Sequence, residues 1–298
     1  MLIALLIPLT LAGIFCLGVL VRAAIQQAAI PKFEAVVLGA VVSFFDTLGI
    51  GSFAPTAAWF KFRKLVPDRL IPQTMLVGLT PPSVLQGIIY LILLGVMVDP
   101  ILLVGCILAC VMGGLLGAPL VARSKVWVVQ SVVAVGLLLA AGAYAATNLH
   151  MMPGGGTANS LPMSLTILAI VASFGFGVLL NFGVGNYAPT LVLLSLMGMD
   201  PRLCFPIMAA SAGLMGSAAS VRHIRMGQMD LKVVLGMTLG GFPAVLVAAF
   251  IVKEMPVETL RWLVIVVVLY AAAVMARSAW QGRKGEEIPL TPEEAAAE

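Results

Sequence analysis

Two eight-residue stretches restrict what this chain can fold into. Gly49-Ile50-Gly51-Ser52-Phe53-Ala54-Pro55-Thr56 returns 134 positions later as Gly183-Val184-Gly185-Asn186-Tyr187-Ala188-Pro189-Thr190. Gly, Gly, Ala, Pro and Thr are identical, and the other three positions keep a β-branched, a small polar and an aromatic residue. The flanks repeat too. Arg69-Leu70-Ile71-Pro72 recurs as Arg202-Leu203-Cys204-Phe205-Pro206, and Gly113-Gly114 with Pro119 recurs as Gly240-Gly241 with Pro243. The chain therefore reads as a duplication, about 33–147 and 161–280. Matching glycine- and proline-broken apolar segments in two halves point to a carrier's binding site.

Only 10% of the residues are charged and the mean hydropathy is +1.10. Soluble domains carry about 25% charge, so the sequence predicts an all-α polytopic membrane protein. The formal charge of +4 is spread over short loops, which gives no patch for nucleic acid. Cys16, Cys106, Cys110 and Cys204 lie in apolar runs without disulfide-framework spacing. Cys106 and Cys110 share a helix face, as a thiol pair or as small core residues. No phosphate loop or His-Glu-x-x-His motif is present, and His150 and His223 lie near loops. The reading is thus no enzyme, no cofactor and no metal.

Residues 2–21 form an apolar run ending at Arg22 with no Lys or Arg before it, which reads as a retained first span and not a signal peptide. It has no counterpart in the second half, so 1–30 is an extra helix. The segment 34–60 is harder. As one helix it would be about 40 Å long, but Gly49, Gly51 and Pro55 interrupt it, and each arm is too short to span about 30 Å of hydrocarbon. Charge decides between crossing and dipping. If this segment and its copy at 161–199 both cross, Lys and Arg divide almost evenly between the two sides. If both re-enter, fourteen of the seventeen fall on one side and only Arg202, Lys253 and Arg261 on the other. That is a positive-inside signal, and it selects the re-entrant reading.

Each half then holds one broken-helix hairpin and three transmembrane helices, and the odd number of crossings inverts the second half. The expected organisation is an extra helix at 1–30, repeat one at 31–147, an outside linker at 148–160, repeat two at 161–280 and a cytoplasmic tail at 281–298. The amino terminus lies outside a multi-pass cell-membrane protein. The Gly113-Gly114 and Gly240-Gly241 pairs predict close helix approach, either within one chain or between copies in a homo-oligomer.

The two hairpin tips are the candidate site. Each second arm begins with backbone N–H groups that lack helical acceptors, where the helix dipole is positive. Such helix starts suit an anion. Gly49, Gly51, Gly183 and Gly185 allow close backbone approach, while Ser52, Thr56, Asn186 and Thr190 add hydroxyl or amide groups beside Phe53 and Tyr187. Asp46 alone among the thirteen Asp and Glu falls well inside an embedded segment; its counterpart is Leu180. An embedded carboxylate marks an ion or proton path, or else it caps the turn beside it. Gln73 and Thr74, with Gln86 further along, are candidates for a cavity wall or for interhelical hydrogen bonds.

With these residues in view, the sequence resembles the sulfite exporter TauE/SafE family of anion permeases, also called TSUP. The resemblance rests on two repeats with Gly-Ile-Gly-type turns and a proline in the second arm, here Gly49-Ile-Gly51…Pro55 and Gly183-Val-Gly185…Pro189, and on the polar span end Val221–Asp230. Ser52-Phe53 and Asn186-Tyr187 stand where the family often continues its glycine run. The resemblance implies transport of small anions such as sulfite, sulfonates and other sulfur-containing or organic acids. The residues themselves lead to a small-anion carrier in a lipid bilayer, with a proton through Asp46 as candidate coupling. An anion channel, an assembly subunit or an embedded enzyme are the alternatives.

Overall fold

The computed structural model describes residues 2–49, 51–67, 70–117, 126–149, 156–180, 186–227 and 229–287. Among them the chain is helical, with a single bridge between Ala158 and Met199. The helices are α1 (Leu2–Gln26), α2 (Phe33–Thr47), α3 (Phe53–Arg63), α4 (Ile71–Leu93), α5 (Pro100–Leu116), α6 (Val126–Asn148), α7 (Met163–Leu180), α8 (Tyr187–Leu196), α9 (Phe205–Met226), α10 (Leu231–Glu254) and α11 (Val257–Glu287). Among the described residues five helices are long and apolar enough to cross a membrane: α1, α4, α9 with the short turn before it, α10 and α11. The linker residues 150–155 and the tail 288–298 lie outside the described residues.

Polar side chains at two opposite ends of the bundle fix how the helices enter it. At one end, Lys32 Nζ donates to Asp230 Oδ2 at 3.1 Å and to the Leu65 carbonyl at 3.4 Å. The Asp230 carboxylate also caps α10 by accepting from Val233 N–H, and Asp230 N–H donates to Thr74 Oγ1. Arg63 Nε and Trp59 Nε1 both donate to Glu34 Oε1. The last turn of α3 therefore sits beside the first turn of α2. At the other end, Asp99 N–H donates to the Asn159 carbonyl, Asp200 N–H to the Ala158 carbonyl and Ala158 N–H to the Gly198 carbonyl. The chain leaving α8 is thus tied to the segment that precedes α7. Asp99 caps α5 through Leu102 N–H.

The centre is the antiparallel pair α4 and α9. Gly87 meets the Ala209 backbone, Gly216 meets Thr80, and Ser220 Oγ donates to Thr80 Oγ1 at 3.0 Å. Pro81 and Pro82 interrupt α4, and Pro82 removes the N–H that would serve the Gly78 carbonyl. Thr238 Oγ1 of α10 donates to that carbonyl instead, at 3.2 Å. This repair from a neighbouring helix is what makes a proline tolerable at membrane depth. α1 lies along the central pair, with Leu9 against Gly87 and Gly213.

Two further close pairs flank the centre, α2 with α10 and α5 with α7. Gly240 faces the Val36 carbonyl, and Gly113 the Phe174 carbonyl, so closely that neither position has room for a Cβ. Gly241 abuts Pro82 and Ser43, and Gly114 abuts Met215. Both glycine pairs are therefore occupied by helix contacts inside one chain, where small residues let backbones approach and gain dispersion contacts in lipid. The outer faces are apolar: Ile7, Leu11 and Ile14 of α1, Leu138 and Leu139 of α6, and Val247 and Phe250 of α10 are all exposed. A bilayer covers such a surface at no hydrophobic cost.

Candidate functional site

The first break falls where the glycines are. α2 ends at Thr47 and α3 starts after Ser52, with φ of +94° at Gly49 and +84° at Gly51. A side chain at positive φ costs roughly 1–2 kcal/mol, so the turn needs both glycines. Its anchors are specific. Tyr90 Oη of α4 donates to the Thr47 carbonyl at 2.8 Å, holding the open end of α2. The buried Asp46 carboxylate reaches across the turn toward the Ser52 hydroxyl and backbone N–H. Thr56 Oγ1 is turned back on the Ser52 carbonyl at 2.7 Å. Phe53 packs against the cluster that holds Phe60, Met75 and Ala35 of α2.

The second tip is described from Asn186 onward; Gly183 and Gly185 lie outside the described residues. Asn186 begins α8 and is buried, its Nδ2 donating to the Met208 carbonyl at 3.4 Å and facing Cys110 Sγ at 4.0 Å. Tyr187 and Thr190 are buried beside it. Neither Ser52 nor Asn186 caps its own helix through the side chain. Pro55 and Pro189, at the third helical position of each arm, have no N–H to satisfy. What remains at each start is the N–H of the first two helical residues, without a helical acceptor.

The two tips lie close together. A Cβ at Gly49 would sit 3.6 Å from both Leu191 of α8 and the Phe205 ring at the start of α9. The Tyr90 and Phe205 rings stack obliquely at 5.1 Å. Asp46 lies within electrostatic reach of both Tyr90 and Tyr187, and Tyr187 approaches Gln86. That approach falls short of hydrogen-bond geometry, so the Tyr187 hydroxyl and both polar atoms of the Gln86 amide are buried without a protein partner. An unpaired buried polar group costs about 1–3 kcal/mol. Three such atoms lie unpaired within electrostatic reach of the Asp46 carboxylate.

Not every candidate from the sequence comes to this place. Thr74 caps Asp230 at the Lys32 end of the bundle, twelve residues and so about 18 Å along α4 from Gln86. Gln73 is its neighbour there, with its Oε1 buried and unpaired. Gln86 is the residue of α4 that faces the tips. Tyr90 was not legible as part of the site, although its position one helical turn after Gln86 puts both on one face. Cys106 and Cys110 are free and buried, and no group of three metal-ligating side chains occurs among the described residues.

No curated protein and no solved structure matches the chain. The family model described as Sulfite exporter TauE/SafE does match, over residues 165–296, which hold α7 to α11 and the second tip. Over that stretch this multi-pass membrane protein is similar to the sulfite exporter TauE/SafE family, the one its two glycine turns resemble.

Proposed function

We propose that the chain is a secondary carrier for a small oxyanion, of the sulfite or sulfonate kind, held between two re-entrant hairpin tips and coupled to a proton on Asp46. The observation that carries this reading is the buried, unpaired set of Tyr187 Oη and the Gln86 amide opposite Asp46, between two uncapped helix starts. The match to a family of sulfite exporters supports the anion and the absence of catalysis. The hairpins are supported by the ties of α3 to the start of α2 and of the post-α8 turn to the pre-α7 segment. Those ties lie at opposite ends of the bundle, as inverted repeats require.

The contact pattern has matching halves. α2 packs on α10 as α7 packs on α5, while α4–α9 and α6–α11 pair each helix with its own counterpart. That pattern supports a pseudo-two-fold axis in the membrane plane. The Lys32 end is the cytoplasmic one, because Lys61, Arg63, Lys64, Arg222, Arg225 and Lys232 gather in the loops and helix ends there. The amino terminus then lies outside and the tail inside.

Asp46 supplies a coupling device. As a carboxylate it attracts the Ser52 N–H and hydroxyl beside it, the same donors an anion at the first tip needs. Two negative charges about 4 Å apart repel by roughly 4 kcal/mol at an effective dielectric near 20, so carboxylate and anion exclude one another. A proton on Asp46 removes the repulsion and frees the donors. The test is counterflow in proteoliposomes with labelled sulfite, thiosulfate, a small sulfonate and a short carboxylate, each with and without a pH gradient. Exchange of an oxyanion, enhanced by the gradient, is expected. No exchange of any anion by folded protein would sink the reading.

A further inference from the structure

A second polar place lies away from the tips, at the Asp99 end. A cavity of ≈ 450 Å³ opens there, lined by Leu94, Leu203, Thr157, Asn159, Asp200 and Arg202 among others. Arg202 is fixed in it by a fork: Nε sits 3.2 Å from both Asp200 oxygens and Nη2 2.7 Å from Oδ2. Asp200 is itself held by the backbone, its Oδ1 accepting from Arg202 N–H and its N–H donating to Ala158. A guanidinium has five N–H donors. Nε and one hydrogen of Nη2 go to Asp200, so those of Nη1 and the second of Nη2 remain for the cavity, which the side chain partly faces. Arg202 stands on the side where the charge bias disfavours a cation.

Polar side chains continue inward from Arg202. Cys204, two residues on, lies against the Asp200 carbonyl and beside Ser195. Cys204 neighbours Cys106, which pairs with Ser173. Cys110, one turn along α5, meets Ser211 and then Asn186 at the second tip. These are all buried, and Ser195 Oγ has no partner. Buried hydroxyls and thiols thus lie between the Arg202 cavity and the second tip.

We propose that the Arg202 cavity is an outer binding subsite for the transported oxyanion, and that the row from Ser195 through Ser173 and Ser211 to Asn186 is the path joining it to the tips. This rests on the anion-carrier reading above. Asp200 cancels much of the local charge, so the subsite recognises its ligand by an oriented fork of N–H donors, which suits an oxyanion better than a spherical ion. It also binds weakly enough to release, as a station on a route must.

Labelled-sulfite exchange by oriented proteoliposomes separates the two claims, with the KM measured independently from each face. Arg202→Gln is expected to raise the KM from the Asp99 face about tenfold, leaving kcat and the KM from the other face within twofold. Arg202→Lys, which keeps the ion pair but loses the fork, is expected to raise the same KM by a smaller factor, and it decides the matter if Arg202→Gln does not fold. An unchanged KM from the Asp99 face, or an equal rise from both faces, overturns the subsite while exchange by the unaltered protein leaves the carrier standing. Absence of exchange by the unaltered protein overturns both.

Discussion

Asp46→Asn is expected to exchange its anion across the membrane and yet fail to concentrate it. The asparagine side chain carries no charge at any pH, so it stands in for the protonated carboxylate and leaves the Ser52 donors open to the anion. Exchange needs only that. Accumulation needs a group that loses its proton on one side, and the variant has none. A carrier moving one proton per anion concentrates its substrate about tenfold per unit of pH gradient, since one unit is worth about 1.4 kcal/mol. With the membrane potential clamped, the variant should show no accumulation, and its exchange rate should lose its dependence on pH. Full accumulation by Asp46→Asn would leave Asp46 as a cap for the turn and nothing more.

The second large effect is expected at Gly51. Nothing lies within 4 Å of where its Cβ would be, but its φ is +84°. Substitution there is therefore a matter of backbone strain and not of collision. Valine, β-branched, cannot hold that conformation cheaply, so the turn must reshape and carry the Phe53 N–H away from its aim. Gly51→Val should reduce transport at least a hundredfold while costing only about 1–3 kcal/mol of stability, which leaves protein that still runs as a folded species in detergent. Gly51→Ala should fall between. Normal transport by Gly51→Val would remove the first tip from the site.

Why some of this was legible in the sequence and some not follows from particular residues. The breaks were legible because glycine and proline act locally: α2 ends at Thr47 and α3 and α8 begin after Ser52 and Asn186, within the repeated octapeptides. The charge bias was legible because loops keep their charges whatever the helices do. Contacts between helices were not. Nothing local says that Thr74 is spent on Asp230 while Gln86, three turns on, faces Tyr187, since both are polar residues on one apolar helix. The Lys32–Asp230 and Arg202–Asp200 pairs differ in the same way, because the first spans 198 positions and the second two. The dual position of Asp46, cap and candidate proton site at once, was stated as two alternatives from sequence. The structure places Ser52 beside it, and under the proposed coupling that neighbour is what the carboxylate and the anion compete for.

The central claim is a place: an oxyanion between the two tips. Selenite resembles sulfite in shape and charge, and its selenium can be located by anomalous scattering in crystals grown at a pH where Asp46 is protonated. A selenium peak is expected within hydrogen-bonding reach of Ser52, Gln86 and Tyr187, absent in crystals of Gly51→Val. Selenium found only at the Arg202 cavity, or on the surface with the tips empty, would contradict it.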